Sequence, residues 1–555
     1  MPITGKCPKS LICGQIEVRF CGWNFNMKNA CPDAEHPSNS QSPPHRVGFP
    51  APTGIKLRAF PPERIRYSNH QAANLSGTFV LYWMTAFRRL GWNFALDRAV
   101  SWAEATGKPL FILESYSLWF PWSSERHFYF VLEGMQERAK DLQTGPAFYL
   151  PILEHSPGDI AKLLSREVGQ LVCVITDDYP LRPWQRQIRQ IGESLPVRVE
   201  AVDSCGLVPL AASSRIFTRA VDFRRFWQKH FRKFLAAEPE PDSLRRLPPL
   251  QPASSSLVEL LRQVAIDPER WLTQSEKLRA LPWERKVFPV DLPGGTSPAR
   301  KRLAQFVLNK LEEYDRRRNH PDLEGTSGLS PYLKCGFIST QEIFWEVARA
   351  ENWSLDRCLQ NPLGKKNFFG MGAGAEEFLD QLFTWREIGF NFAALSDRYD
   401  QFESLPGWAI QTLKEHARDK RSYTYTLSDL EQAATHDPVW NAAQTELVTT
   451  GTIHNYLRML WGKKILEWTS SPEEALAFMI ELNNRFALDA EDPNSYSGIF
   501  WILGRYDRPW GPERPVFGKV RFMSTEAARQ KLKMKSYLDR FSPQRARDLH
   551  PMGDR

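Results

Sequence analysis

No apolar run in the 555-residue chain approaches the roughly 18–20 residues that a bilayer-crossing helix needs. The stretch from Met1 to Phe20 also lacks the apolar segment of a secretory signal, so an intracellular protein, cytoplasmic or nuclear, is expected. Eight cysteines are too few at this length for a disulfide scaffold. Four of them, Cys7, Cys13, Cys21 and Cys31, sit at spacings that match no zinc pattern, and no metal is expected. No G-x-G-x-x-G follows the first strand candidate. That absence argues against a light-independent, nicotinamide-linked oxidoreductase. There is no internal repeat, and charge of neither sign dominates: 72 basic against 64 acidic residues leave a net +8. Such a balance permits a phosphate-backbone partner without requiring one.

What the chain does have is length enough for two or more domains, 42% hydrophobic residues, 19 Trp and 34 Phe. An aromatic surplus suits stacking on flat rings such as bases or a flavin. Residues 1–60, rich in Pro, Ser, Asn and Cys, read as a poorly ordered extension. Residues 61–235 alternate strand candidates (78–83, 109–114, 171–177, 197–202) with helical stretches (93–106, 126–142). This alternation predicts a doubly wound parallel sheet. Residues 236–256 have the Pro/Ser-rich composition of a linker. Residues 257–528 predict an all-helical domain with helices over 301–317, 340–351, 375–394, 406–419, 440–449, 452–468 and 472–486. A polar tail, 529–555, follows. The fold class is thus α/β plus all-α, in that order.

The most informative stretch is G-T-I-H-N-Y-L-R-M-L-W at 451–461. On a helix, Asn455, Arg458 and Met459 share one face, presenting an amide, a cation and a soft apolar group together. With the flanking D-P-V-W-N-A-A-Q at 437–444 and the Y-D-R-P-W-G-P-E-R-P-V-F-G-K-V-R run at 506–521, it resembles the photolyase/cryptochrome family. The likeness is to the class II cyclobutane-dimer photolyases in particular. It covers roughly residues 75–525 and is strongest after 375.

The resemblance implies an α/β antenna domain followed by a helical FAD-binding domain, acting as a monomer on UV-damaged DNA. It implies a reduced FAD set beside a flipped-out pyrimidine dimer. Trp440, Trp461 and Trp468 match the tryptophan chain that photoreduces the flavin. Trp461 and Trp468 are two helical turns apart, about 10 Å along the axis. Arg458 and Asp489 match an ion pair beside the flavin ring, and a fixed positive charge there favours the anionic reduced form. Asn483 matches an asparagine facing flavin N5. Thr326, Ser327, Gly328, Leu329 and Ser330 match a phosphate-cradling turn. Tyr314, Arg386, Asn391 and Asn455 complete the implied flavin set. An antenna chromophore, a deazaflavin or a folate, is also implied.

In the implied dimer pocket, Trp385 and Trp501 match the stacking aromatics and Met459 an apolar contact. The fourth member of that pocket is a glutamic acid in photolyases and Gln381 here. An amide can hydrogen-bond a thymine carbonyl but cannot supply a proton as a carboxylic acid can. This departure points to weaker repair or to a cryptochrome-like light sensor as the alternative function. The 488–496 stretch, L-D-A-E-D-P-N-S-Y, also departs from the family by lacking glycine at Ala490 and Ser495 and by carrying Glu491 where a basic residue is usual. Arg508, Arg514, Lys519 and Arg521 match a segment that contacts DNA phosphates, with Pro512 an addition to its usual spacing.

Overall fold

Apolar runs that are buried on both faces assemble into parallel sheets, and the runs in the first half of the chain do so. The computed structural model describes residues 54–166, 168–250, 259, 262–283 and 287–544. The strands are β1 (Ile65–Tyr67), β2 (Phe79–Met84), β3 (Leu110–Ser117), β4 (Ala147–Glu154), β5 (Leu171–Asp177) and β6 (Val199–Val202). Their order is β1-β6-β5-β2-β3-β4. All pairs are parallel except β1 with β6, where Arg66 lies opposite Ala201. Every residue of β2, β3, β5 and β6 is buried.

Two strands were not among the expectations. Strand β1 has only three residues, too few for a pattern. Strand β4 carries Pro151 at its centre, which reads against a strand; it sits at the sheet edge, where a missing N–H is tolerated.

Helices cover both faces, as doubly wound topology requires. Helix α1 (Phe94–Thr106) packs Phe94, Leu96 and Trp102 against Val80 and Tyr82. Its N-cap Asn93 accepts from the Ala95 and Leu96 amides, and it stops at left-handed Gly107. On the opposite face, Ile160 and Leu164 of α3 (Asp159–Arg166) and Ile191 of α4 (Arg182–Ser194) meet Phe79, Leu81 and Trp83. Helix α2 (Glu125–Asp141) and α5 (Ala220–Ala236) turn toward the helical half. Beyond α5, residues with linker composition pack down: Leu244 and Leu247 are buried in the α1 core.

The helical half contains α6 (Thr296–Asn309), α7 (Thr340–Ala350), α8 (Ala373–Asp380), a π-helical segment (Gln381–Arg386) and α9 (Glu387–Leu395). It continues with α10 (Pro438–Thr450), α11 (Asn455–Trp468), α12 (Pro472–Phe486) and α13 (Pro493–Ile502). The helix expected over 301–317 is broken, with α6 ending at Asn309 and a short helix at Tyr314–Arg317. The stretch over 375–394 is helical but contains the π segment. Helix α12 spans the expected 472–486 and begins at its Ser-Pro-Glu-Glu start signal, with the Ser471 hydroxyl accepting from the Glu474 amide. Helices α9 and α13 touch through Gly389: a Cβ there would lie 2.4 Å from Ser497 Oγ and 2.6 Å from the Pro493 carbonyl.

The two halves are tied by buried polar contacts. The Glu387 carboxylate accepts the Leu207 and Val208 amides, both at 2.8 Å, and burial pushes its pKa up to about 7. Arg386 donates to the Cys205 carbonyl at 2.9 Å, and the Tyr179 hydroxyl donates to Asp492 at 2.8 Å. Part of the polar tail folds back: in the helix Lys535–Arg540, Tyr537 donates its amide to Asp322 and its hydroxyl to Glu446, both at 2.7 Å. Of the extension expected over residues 1–60, residues 1–53, with their four cysteines, lie outside the described residues. Among the described residues no helix is long and apolar enough to cross a membrane.

Candidate functional site

Helix α11 opens at Asn455, which is exposed, and presents Arg458 one turn on. Arg458 Nη2 donates to both Asp489 oxygens, at 2.8 and 3.0 Å. The two side chains are only 13% and 12% exposed, so little solvent screens the charge. The loop that carries Asp489 is fixed by the Leu488 amide bonding the Gly451 carbonyl at 2.8 Å. Asn483, on α12, is buried, and its amide nitrogen donates to Asn484 Oδ1 at 3.0 Å and Ser495 Oγ at 2.9 Å. With both N–H groups committed, its carbonyl oxygen is the atom it has to offer. Ser495 thus has a use where the family pattern has glycine: its hydroxyl orients Asn483.

Trp440, Trp461 and Trp468 are all buried, at 2% exposure or less. Trp440 of α10 stacks on Trp461 of α11 with centroids 6.4 Å apart and planes 4° apart. Trp468 meets Trp440 edge-on at 5.7 Å and 66°. Helical spacing put Trp461 and Trp468 next to one another; in the fold Trp440 bridges them from the neighbouring helix. Spacing along α11 cannot reveal a ring inserted from α10. Indole N–H groups fix the stack, Trp440 donating to the Trp461 carbonyl at 3.0 Å and Trp461 to Gln444 Oε1 at 2.9 Å.

The turn at 326–330 leads into the short helix Ser330–Lys334. Gly328 is left-handed at φ 64°, and a Cβ there would sit 2.6 Å from Arg302 Nη1. Glycine therefore lets a guanidinium from α6 close over the turn. Thr326, Ser327 and Arg302 together offer hydroxyls and a cation, the donor set a pyrophosphate needs. Arg302 went unnoticed in the sequence because α6 carries Arg300, Lys301 and Arg302 in a row with nothing to single one out. Tyr314 is buried, with the Arg318 guanidinium 5.5 Å over its ring. The hydroxyl-rich turn with Arg302, the part-buried Arg458–Asp489 pair and the oriented Asn483 oxygen offer groups that fit a flavin dinucleotide. Asn391 spends its amide on the Phe217 amide and the Arg215 carbonyl, both at 3.1 Å, and so pins the loop before α5. Arg386 lies over Phe390 at 4.2 Å.

Gln381 opens the π segment, and its Nε2 donates to Glu377 Oε1 at 3.1 Å. Glu377 is also held by Arg318 and by Lys366, the latter at 2.7 Å. The adjacent carboxylate, Asp380, is locked elsewhere. Arg224 grips it with two bonds of 2.6 and 2.7 Å, and the Thr384 hydroxyl donates to it at 2.7 Å. Asp380 is therefore no substitute acid. Trp385 lies in the π segment, which packs on α13, the helix that carries Trp501. Met459 Cε comes within 3.8 Å of a Cβ built at Gly498 of α13. Beside Trp501, Lys463 Nζ stands 5.2 Å from the ring, and burial lowers its pKa to about 7 against the pull of Asp507.

After α13 the chain forms a basic loop. Arg508 and Arg521 both lie over Trp510, at 4.2 and 4.0 Å, and Arg521 is anchored to Asp507 at 2.8 Å. Arg514 lies over Phe522 at 4.6 Å, and Lys519 pairs with Glu513 at 3.1 Å. The backbone closes through the Trp510 amide to the Lys519 carbonyl at 2.9 Å. All four expected cations thus share one loop, in which Trp510 carries Arg508 and Arg521 on its ring.

A separate cavity of about 40 Å³ lies at the carboxyl ends of β2 and β3. Its walls include Arg88, Ser115, Trp122, Trp184, Lys334 and Glu491. None of the residues expected to touch the flavin lines it.

No family model matches the chain. It is similar to the deoxyribodipyrimidine photo-lyase of Methanothermobacter thermautotrophicus, 33% identical over 479 residues that cover 86% of this chain and 98% of that protein. With the deoxyribodipyrimidine photo-lyase of Oryza sativa subsp. japonica it is 32% identical over 520 residues, 90% of this chain and 94% of that one. Among solved structures, the cryptochrome of Synechocystis sp. PCC6803 shares the fold with a TM-score of 0.59 at 16% identity, covering 86% of this chain and 92% of that one.

Proposed function

The chain belongs to the photolyase/cryptochrome family, and on that premise we propose that it is a deoxyribodipyrimidine photolyase that splits cyclobutane pyrimidine dimers in UV-damaged DNA with light. The observation that carries this reading is the buried Trp461–Trp440–Trp468 series beside the Arg458–Asp489 pair. A buried series of stacked indoles is a route for single electrons into a protein interior. A part-buried guanidinium at its inner end supports an anionic ring.

Bound and reduced, FAD supplies the electron that opens the cyclobutane ring and accepts it back. The chain's own residues hold and orient. Thr326, Ser327, Gly328, Leu329, Ser330 and Arg302 take the pyrophosphate, Tyr314 and Asn455 close the cavity, and Asn483 presents its oxygen toward N5. Trp385 and Trp501 stack on the flipped-out dimer and Met459 excludes water from it. Gln381 offers its remaining amide N–H to a thymine carbonyl. The loop carrying Arg508, Arg514, Lys519 and Arg521 holds the DNA backbone without sequence preference. The carboxyl edge of the sheet, where doubly wound folds take ligands, is the position for an antenna pigment, a deazaflavin or a folate.

The test is to illuminate the reduced protein with dimer-containing single-stranded DNA. Recovery of the absorbance of intact bases under blue light, and none in the dark, is expected. Photoreduction without any lesion turnover supports the second reading, a cryptochrome-like photoreceptor, which Gln381 and the cryptochrome fold relative favour.

A further inference from the structure

Between α7 and α8 the chain makes a loop whose tip is strained and apolar. The Lys365 amide bonds the Pro362 carbonyl at 2.8 Å, and both central residues of that turn are left-handed, Leu363 at φ 48° and Gly364 at φ 79°. Turns with two left-handed residues favour Asn-Gly. Here a leucine takes the strained position and stands 64% exposed. Neither backbone preference nor burial accounts for it, and a backbone outlier of this kind points to a use outside the fold. The loop is nevertheless held at both base and tip. The Leu359 amide closes the base on the Phe368 carbonyl at 2.9 Å, and Phe368 and Phe369 pack on Trp227 of α5. Arg225, Arg224 and Gln228 of α5 donate in turn to the carbonyls of Leu363, Gly364 and Lys365, at 3.4, 3.5 and 2.8 Å.

These anchors lead to the proposed dimer face. Arg224, which holds Gly364, also grips Asp380, the neighbour of Gln381. The Trp227 indole donates to the Thr384 hydroxyl at 3.0 Å, next to Trp385. Lys366 Nζ reaches Glu377 at 2.7 Å, and Glu377 is the acceptor of the Gln381 amide. One carboxylate thus separates an exposed lysine from Gln381. Lys365 is exposed as well, and Arg225, Lys229 and Arg232 add three exposed cations at helical spacing on one face of α5. Asp222, shared by Arg219 and Arg225, and Asp356 beside Arg232 leave this face net positive.

We propose that the loop is a second DNA contact, one that reads the duplex beside the lesion: Leu363 packs on the base pair uncovered when the dimer flips out, and Lys365 and Lys366 hold the phosphates next to it. The inference rests on the DNA-repair reading proposed above. Flipping a dimer out of a duplex costs unstacking and unpairing. An apolar side chain laid on the uncovered base pair offsets part of that cost, as the leucine wedges of DNA-bending proteins do. A single strand has no such pair to cover. The lysines add affinity without sequence preference. Leu363 therefore sets a preference for double-stranded substrate, from a different loop than the one that carries Arg508 and Lys519.

The experiment measures binding of the full chain, loaded with FAD and kept in the dark, to one dimer-containing oligonucleotide, as a single strand and as a duplex, by fluorescence anisotropy. Asparagine suits the left-handed turn, so the thermal unfolding midpoint of Leu363→Asn should equal or exceed that of the wild type. Its duplex-to-single-strand affinity ratio should fall several-fold. Lys365→Ala should lower the slope of log affinity against log salt on the duplex by about one. A wild-type ratio in Leu363→Asn overturns the proposal, as does an unchanged salt slope in Lys365→Ala. A lower unfolding midpoint in Leu363→Asn overturns it too, because the leucine is then a packing residue of the fold. A wild type that binds neither form of the DNA brings down the repair reading and the loop contact with it. A wild type that binds and repairs dimers, while both variants behave like it, brings down the loop contact alone.

Discussion

Gln381 shows how a single side chain takes its meaning from partners that the sequence does not place beside it. Its amide is bound to Glu377, one turn back on the helix, and Glu377 is in turn held by Arg318 and Lys366. The change Gln381→Glu therefore sets two carboxyls about 3 Å apart, a distance at which like charges make one of them keep its proton. The variant places a protonated acid at the proposed dimer face, and its repair yield per absorbed photon should rise several-fold. A yield equal to the wild type would mean that the amide already does all that the position requires. The Arg458–Asp489 pair was legible in the sequence because both residues lie in motifs. The Arg224–Asp380 pair was not, since 156 residues separate its members and neither stands in a recognisable pattern.

Helices were legible where their caps are local. Helix α12 follows from Ser471, Pro472 and Glu474, and α10 from Asp437, whose carboxylate accepts two amides of the first turn. The π segment was not, because an extra residue in a turn leaves the apolar pattern nearly unchanged while shifting the faces that Gln381 and Trp385 present. Strand β4 was hidden by Pro151, and the middle of the tryptophan series by its origin on a second helix. Between α10 and α11, Glu446 accepts the Tyr537 hydroxyl at 2.7 Å and the His454 amide at 2.9 Å. Burial pushes its pKa from 4.5 up to about 7. A raised carboxyl binds its proton more tightly when folded, so its contribution is complete below the unfolded pKa and is lost as pH rises through the folded one. Glu446→Gln keeps both acceptor contacts and removes the charge. In urea titrations it should match the wild type at about pH 4.5 and exceed it above about pH 7, by up to about 3 kcal/mol. Parallel stability profiles across that range would contradict the assignment.

For the whole molecule, strand–helix alternation followed by helices was enough to foresee a doubly wound sheet joined to an all-helical half. The joint between them was not foreseeable. Residues 236–250, of linker composition, pack through Leu244 and Leu247, and the contacts of Glu387, Arg386 and Tyr179 that tie the halves come from distant points in the chain. A net charge of +8 says little by itself, but it gains direction once Arg508, Arg514, Lys519 and Arg521 gather on one loop beyond Trp501. On the proposed reading, Arg458, Met459, Trp461 and Trp468 share α11, Trp501 lies on α13 and the DNA loop follows it, so light capture, electron delivery and DNA contact would depend on one bound flavin. The absorption spectrum of the purified full chain, before and after blue light with a thiol present, tests that dependence most directly. Flavin bands that bleach on illumination in the wild type and persist in Trp461→Phe are the result this account predicts. A protein that shows no flavin bands, even after incubation with FAD, would contradict it.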